Sequence, residues 1–166
     1  MWKERTKEQA NKAIVERWFK EFWGNPWNPK VVDQLATPNV LVRYPLHGPG
    51  RGQEVVKKMM TEFREAFPDL NFWGVGSLIA EGDYVVGRWD GGGTHTGPAF
   101  SDPPVWTFPA ASGRKIRFTG TTVFRIENGK IAEEIGEEGS RWISTENKDF
   151  WGWRFTPITA RIAASS

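Results

Sequence analysis

Four glutamates stand close together on the last predicted strand and directly after it: Glu133, Glu134, Glu137 and Glu138. Side chains alternate between the two faces of a strand, so Glu134 and Glu138 share one face. A carboxyl group inside an apolar cavity loses the hydration of its charged form, and its pKa then rises toward neutral pH, where it can transfer protons. The same cluster also fits a solvated edge that resists aggregation. A glutamate of this face is therefore a candidate proton carrier, and the alternative places all four side chains in water.

His95 is the second titratable candidate, because it follows a run of three glycines and could orient or assist Glu134 in a pocket. The alternative is a structural histidine whose ring is hydrogen-bonded. His47 lies in a loop rich in proline and glycine, where an exposed side chain is expected. The chain has two histidines without ligand spacing and no cysteine, which argues against a metal site and excludes disulfides and thiolate catalysis.

Arg43 and Tyr44 are adjacent polar residues on a predicted strand and therefore point in opposite directions. An inward Arg43 would favour an anionic or carbonyl-rich ligand, whereas an outward one would extend its charge into water. Tyr44 is the other polar group of this strand that could reach a ligand.

Length and composition limit the class of protein. A chain of 166 residues fits one domain with a real core, and its ten tryptophans and eleven phenylalanines can fill that core or line a pocket. The net charge of +2, with lysine and arginine scattered along the chain, argues against a nucleic-acid partner. The first residues lack the apolar run of a signal peptide, and no stretch is long enough to span a membrane. We expect a cytoplasmic protein without a membrane partner.

Helical signals dominate the first half of the chain. A capping box at Thr6 to Gln9 begins a helix that is predicted to run to Trp23, and a short helix is expected from Asn28 to Leu35. A strand is predicted over 40–44, the loop 45–52 is expected to be irregular, and a third helix begins at Gln53. A strand follows over 70–79, where Gly74 and Gly76 predict a bulge.

The second half reads as strands separated by turns. Gly82-Asp83, the glycine triplet 91–93 and Asn128-Gly129 are turn signals, and the passage 98–109 is expected to be irregular. The predicted strands cover residues 84–89, 116–126 and 130–135. Helices followed by a mostly antiparallel sheet predict an α+β fold in which the sheet packs on three N-terminal helices.

Several motifs in this order resemble a known family. They are Ala66-Phe67-Pro68-Asp69-Leu70, Ala80-Glu81-Gly82-Asp83, Gly93-Thr94-His95-Thr96-Gly97, and Phe124-Arg125-Ile126 with Asn128-Gly129-Lys130-Ile131. Residues 11–139 resemble the SnoaL-like polyketide cyclases of the nuclear-transport-factor-2-like superfamily. The resemblance implies a cone-shaped α+β barrel over residues 1–140 with a small-molecule pocket, acid–base chemistry that needs no metal or organic cofactor, and a homodimer.

The chain departs from that resemblance at two positions. The resemblance places a catalytic histidine at Thr122 and an aspartate at Gly136, and neither residue here can transfer a proton at neutral pH. Glu134 is the nearest carboxylate on the same strand face, and Gly136 is expected to leave room for its side chain. Three functions stay open: an enzyme acting on a small hydrophobic carbonyl compound, a binding protein that has lost its catalytic acid, and a protein-interaction module.

The pocket is expected to be a true cavity formed by the apolar faces that converge on it. Its expected lining and ligand-contacting residues are Trp18, Phe22, Arg43, Tyr44, Phe63, Trp89, Phe118, Thr122 and Phe124. Residues 141–166 form an extension with four aromatic residues between Phe150 and Phe155. We expect this extension to pack on the domain or on a dimer partner, because an exposed aromatic strip favours aggregation.

Overall fold

The N-terminal helix ends in an unusual turn that determines which aromatic side chains face the sheet. The computed structural model describes residues 6–45, 48–102 and 106–143. Helix α1 spans Lys7–Trp18 with the predicted capping box at Thr6, and it continues into a π-helical turn at Phe19–Trp23. A π turn holds more residues than an α turn, so the faces shift at this point. Trp18, Phe22 and Trp23 are all buried as a result.

Two further helices, one large sheet and one small hairpin complete the fold. Helix α2 spans Lys30–Leu35 and helix α3 spans Gln53–Ala66. The strands in chain order are β1 (Ala36–Tyr44), β2 (Gly48–Arg51), β3 (Asn71–Glu81), β4 (Tyr84–Thr94), β5 (Phe100–Asp102), β6 (Trp106–Phe108), β7 (Lys115–Glu127) and β8 (Lys130–Ile143). The large sheet has the order β2-β1-β8-β7-β4-β3, and every pair is antiparallel except β1 with β8. The α+β prediction is confirmed, with the correction that the sheet is open because β2 and β3 remain separate edges.

Local turn chemistry explains where several strands end or bend. Asn128 and Gly129 have positive φ angles of 50° and 74°, which gives the predicted hairpin between β7 and β8. Gly76 has φ 75° within a register shift between β3 and β4, and this is the predicted bulge.

Three predictions of irregular structure are wrong. Residues 48–51 form β2 despite their prolines and glycines, and the passage 98–109 contains the small hairpin of β5 and β6. The glycine triplet lies inside β4 rather than in a turn. A Cβ at Gly92 would lie 2.0 Å from the carbonyl oxygen of Ile116, so close backbone approach requires glycine here.

The core lies between the helices and the inner face of the sheet. Its largest fully buried side chains include Trp18, Phe22, Phe67 and Phe124. In the described part of the chain, no helix is long and apolar enough to cross a membrane. The predicted aromatic segment 150–155 and His47 lie outside the described residues.

Candidate functional site

Glu134 is buried at the centre of a hydrogen-bonded cluster. It lies on β8 with 0% of its surface exposed. Three donors from three different elements reach its carboxyl group. The indole Nε1 of Trp18 donates to Oε2 at 2.8 Å, that of Trp23 donates to Oε1 at 2.7 Å, and the Tyr44 hydroxyl donates to Oε1 at 2.6 Å. The α1 helix, the π turn and β1 therefore all converge on one carboxyl group.

Burial changes the acidity of this group. It raises the pKa of Glu134 from 4.5 to about 7, against the opposing effect of the three hydrogen bonds. The solvated-edge interpretation is wrong for Glu134, because β1 pairs with β8 in parallel and makes β8 an interior strand of the sheet. The carboxyl is thus partly protonated at neutral pH.

A pair of hydroxyl groups continues the network away from Glu134. The Tyr44 hydroxyl lies 2.9 Å from the Thr122 Oγ1, and the Trp89 indole Nε1 donates to the same Thr122 oxygen at 2.8 Å. Burial, followed by the charges of Glu134 and Glu138, raises the pKa of Tyr44 well above 10. Tyr44 therefore stays neutral at physiological pH.

Gly136 makes room for an aromatic ring and not for the Glu134 side chain. A Cβ at this position would lie 2.0 Å from Cε1 of Tyr44. The expectation that Gly136 accommodates the carboxyl is therefore wrong, since the Tyr44 ring fills that space. Thr122 and Gly136 pair across β7 and β8, so Tyr44 contacts both of the positions where the resemblance predicts catalytic residues.

A small cavity opens beside this cluster. Its volume is about 20 Å³, enough for about one water molecule. Four of its wall residues form a closed ring of near-perpendicular aromatic contacts. The centroid separations are 5.8 Å for Trp23 and Tyr44, 5.9 Å for Tyr44 and Trp89, 5.6 Å for Trp89 and Phe72, and 5.4 Å for Phe72 and Trp23. Glu138 supplies the one charged side chain among the described lining residues.

The cavity adjoins a wider groove between α3 and strands β1 and β2. The groove has a volume of about 210 Å³ and shares Trp23, Tyr44 and Phe63 with the cavity. Lys58 and Glu62 contribute charge at its rim. Two members of the buried cluster, Trp23 and Tyr44, therefore border the groove.

The residues predicted to line a pocket lie in two different places. Phe63, Trp89, Phe118 and Tyr44 line the cavity. Trp18, Phe22 and Phe124 are instead fully buried in the packed core behind it, and Thr122 is also fully buried. The interior is more completely filled than expected because the large rings of the helices pack directly on the sheet.

His95 lies away from Glu134. Its Nδ1 is 2.8 Å from the Ser112 Oγ and its Nε2 is 2.7 Å from the Pro98 carbonyl oxygen. Its neighbour Thr94 pairs with the first residue of β7, whereas Glu134 pairs with Phe124 near the other end of that strand. The geometry therefore gives His95 the structural role and does not support assistance to Glu134.

Arg43 is exposed on the outer face of the sheet, where its partner across β1 and β8 is Ile135. It does not line the cavity or the groove described above. The inward orientation is therefore wrong, because alternation along β1 turns Tyr44 inward and Arg43 outward. Among the described residues, no group of three His, Asp or Glu side chains could hold a metal ion.

Comparison with known proteins identifies the family of this chain. The family model described as SnoaL-like polyketide cyclase matches residues 13–138. The chain belongs to the SnoaL-like polyketide cyclase family. Comparison with curated proteins gives no match.

Solved structures agree with the SnoaL-like assignment. A SnoaL-like polyketide cyclase from Jannaschia sp. CCS1 is 25% identical with a TM-score of 0.64, over 84% of this chain and 91% of that one. A polyketide cyclase from Acidithiobacillus ferrooxidans is 24% identical with a TM-score of 0.60, over 81% and 91%. An isomerase of the SnoaL-like family from Agrobacterium tumefaciens is 20% identical with a TM-score of 0.55, over 78% and 97%. The last two show the shared fold.

Sequence reasoning misses the tryptophan donors of this site. The sequence places Trp23 at the end of a helix, and nothing in its local pattern signals a π turn. Trp18 is expected to face a ligand, whereas its indole N–H serves Glu134. The usable signal is the chemistry of tryptophan, whose buried N–H needs an acceptor.

Proposed function

We propose that this protein is a cofactor-independent enzyme that moves protons on a small hydrophobic carbonyl compound, in a cyclisation or isomerisation. Membership of the SnoaL-like polyketide cyclase family supports a role of this type. The observation that carries the proposal is Glu134, a buried carboxyl group with a pKa of about 7 whose hydroxyl partner Tyr44 forms a wall of an aromatic cavity.

The chemistry requires a group that both accepts and returns a proton near neutral pH. Removing a proton from the carbon next to a carbonyl leaves an enolate. The enolate carbon can then attack a second carbonyl, or the enolate can be protonated at a different atom. A carboxyl with a pKa near the working pH serves both steps. Aromatic walls favour an apolar substrate, and the groove volume of about 210 Å³ favours a small one.

An exchange assay on simple carbonyl compounds tests the function. The protein is incubated in D2O with a panel of aromatic ketones and β-diketones, and loss of the proton next to the carbonyl is followed by NMR. Glu134→Gln should slow exchange by roughly 100-fold or more, because the amide cannot take up the proton. Glu137→Gln is the matched control, since Glu137 is an exposed residue of the same strand. Equal rates for wild type and Glu134→Gln would contradict the proposal.

A non-catalytic binding protein is the second candidate, and one observation favours it. Both oxygens of Glu134 already accept hydrogen bonds and the carboxyl has no exposed surface. Native mass spectrometry of protein purified from its own host would distinguish the two functions. A retained small molecule that undergoes no exchange in D2O would favour binding alone, whereas a retained molecule that exchanges would favour the enzyme.

A further inference from the structure

The Glu134 carboxyl is fully buried, so a proton can reach it only through neighbouring groups. Glu134 has no exposed surface, and its described hydrogen-bond partners are Trp18, Trp23 and Tyr44. Trp23 and Tyr44 both line the cavity and the groove, and of the two only Tyr44 carries a hydroxyl, which can both give and take up a proton. Any proton that passes between a ligand and Glu134 by this network therefore passes through Tyr44.

The partners of Glu134 differ in what they can do when the carboxyl gains a proton. An indole N–H is a donor only, so Trp18 and Trp23 cannot accept the new carboxyl proton. A phenol hydroxyl both donates and accepts. A proton on Oε1 therefore finds a hydrogen-bond acceptor only if Tyr44 changes from donor to acceptor.

A second hydroxyl makes this change feasible. When Tyr44 accepts from Glu134, its own proton needs another acceptor, and the Thr122 Oγ1 lies 2.9 Å away. The Trp89 indole holds that oxygen in place by donating to it at 2.8 Å. The Tyr44 hydroxyl thus has two well-placed acceptors, one for each state of the carboxyl.

We propose that Tyr44 carries protons between a substrate in the groove and Glu134, with its hydroxyl turning between Glu134 and Thr122 as the carboxyl loses or gains a proton. Tyr44 is then the catalytic residue that touches the substrate. Glu134 stores the proton, and Thr122 and Trp89 position the relay.

The relay step balances without a co-reactant. A proton leaves the carbon next to the substrate carbonyl and bonds to the Tyr44 oxygen, and the electron pair stays on the substrate as an enolate. In the same step the original Tyr44 proton passes to the Glu134 Oε1. Tyr44 is neutral before and after, consistent with a pKa raised well above 10 by burial. The reverse step returns the proton to the product.

The surroundings of Glu134 limit what else could titrate in this network. Its partners are Trp18 from α1, Trp23 from the π turn and Tyr44 from β1, and of these only Tyr44 is titratable. Glu138, further along β8, is the other acidic group that acts on Tyr44. No basic side chain is among the hydrogen-bond partners given above for Glu134.

The turning of the hydroxyl can be measured without any substrate. The chain has two tyrosines, so Tyr84→Phe leaves Tyr44 as the one tyrosine to be observed; Tyr84 is 52% exposed. The intensity ratio of the tyrosine Raman doublet reports whether a phenol mainly donates or accepts. In this variant the ratio should change between about pH 5 and about pH 9. The midpoint of this change should equal the pH at which the Glu134 carboxyl band titrates in the infrared spectrum. A constant ratio while that band titrates would overturn the proposal.

Two substitutions at Thr122 test the second acceptor. Thr122→Val leaves the turned Tyr44 hydroxyl without an acceptor, and this destabilises the protonated form of the Glu134 carboxyl. The midpoint of the Glu134 titration should therefore fall by about one pH unit. Thr122→Ser keeps the hydroxyl and should leave the midpoint unchanged. The valine variant keeps the volume of threonine and the serine variant loses a methyl group, so an effect of packing alone would be larger in the serine variant. Equal midpoints in the two variants would contradict the role of Thr122.

An activity measurement tests the chemical step, which rests on the proposed function. Tyr44→Phe keeps the ring that fills the space above Gly136 and removes only the hydroxyl, so near-ultraviolet circular dichroism should confirm a native core. Deuterium exchange of the substrate should fall by about 100-fold or more. Wild-type exchange that persists in Tyr44→Phe but not in Glu134→Gln would overturn the relay and leave the proposed function intact. If wild type exchanges no compound, the proposed function fails and the Raman measurement still decides whether the hydroxyl turns.

Discussion

Glu134 gives the folded state a stability that depends on pH. Its pKa is raised from 4.5 to about 7 on folding, so the folded protein holds this proton more tightly than the unfolded chain. A group with a raised pKa contributes its full stability below the unfolded value and loses it as pH rises through the folded value. The relevant window therefore runs from 4.5 to about 7.

The first prediction is that the stabilisation by Glu134 weakens as pH rises. As pH rises across this window, the Glu134 contribution to the free energy of unfolding should fall by about 3 kcal/mol. Glu134→Gln cannot titrate and should lack this component, whatever constant change the amide itself introduces. The test is urea unfolding of both proteins at several pH values, with the difference between them plotted against pH. A difference that is flat across the window would show that the carboxyl titrates at its ordinary value.

Gly136 provides the second prediction at this scale. The Tyr44 ring lies where a Cβ at Gly136 would stand, so Gly136→Ala should push the ring away from Thr122 and Glu134 and cost about 1–3 kcal/mol. Gly139→Ala on the same strand is the matched control, because nothing lies within 4 Å of its Cβ position. Thermal unfolding compares the two. Similar melting temperatures for both variants would contradict the close packing of Tyr44 on β8.

At the scale of elements, Arg64 fastens the π turn to helix α3. Its guanidinium donates to the carbonyl oxygens of Phe22, Trp23 and Gly24 at 3.0, 3.0 and 2.8 Å, and to that of Leu70 at 2.9 Å. These carbonyls close the end of the helical segment, where no further backbone N–H groups can serve them. Burial lowers the pKa of Arg64 to about 10, so it remains charged at neutral pH.

The third prediction concerns this fastening. Arg64→Met keeps the apolar stem but leaves the carbonyls without their donor, and we expect a loss of about 2 kcal/mol or more in stability. Trp23 should also move, which removes one donor from Glu134 and raises the Glu134 pKa further. The carboxyl band in the infrared spectrum reports this second effect. Lys58→Met on the exposed face of α3 is the control, and it should change neither quantity.

Elements with local signals could be predicted from the sequence, whereas those set by distant pairing could not. The capping box at Thr6 and the Asn128-Gly129 hairpin depend on residues within a few positions of each other, and both predictions are confirmed. The glycine triplet resembles a turn because nothing local shows that Ile116 would crowd it. The site follows the same rule. The family resemblance singles out Glu134 as the carboxylate nearest the expected aspartate position, but its three donors come from elements about 90 or more residues away in sequence.

At the scale of the whole molecule, the parallel pairing of β1 with β8 creates the site. This pairing brings Tyr44 beside Glu134 and converts the last strand from an edge into an interior strand. Helix α1 and strand β8, the first and last elements that the structure describes, also meet here, because the Trp18 indole donates to Glu134. Any substitution that weakens this pairing should therefore change both stability and the acidity of Glu134.

The outer face of the sheet carries the remaining feature at this scale. A row of apolar side chains crosses four neighbouring strands in register: Ile79, Val86, Val123 and Ile135. Ile79 is 69% exposed and Val123 is 42% exposed. With strands roughly 4.8 Å apart, the row extends about 14 Å. Aligned apolar residues of this kind are typical of a surface that another protein covers.

The last prediction is that this row is covered by a second copy of the chain. A twofold contact places the same patch on both subunits, so a single charged substitution acts twice. Val123→Lys should place two lysines in one apolar contact and shift the protein from dimer to monomer in sedimentation at micromolar concentration. Ala110→Lys adds the same charge in the exposed turn before β7 and should leave the dimer unchanged. Wild-type protein that sediments as a monomer under these conditions would contradict the prediction and would show that the apolar row faces solvent.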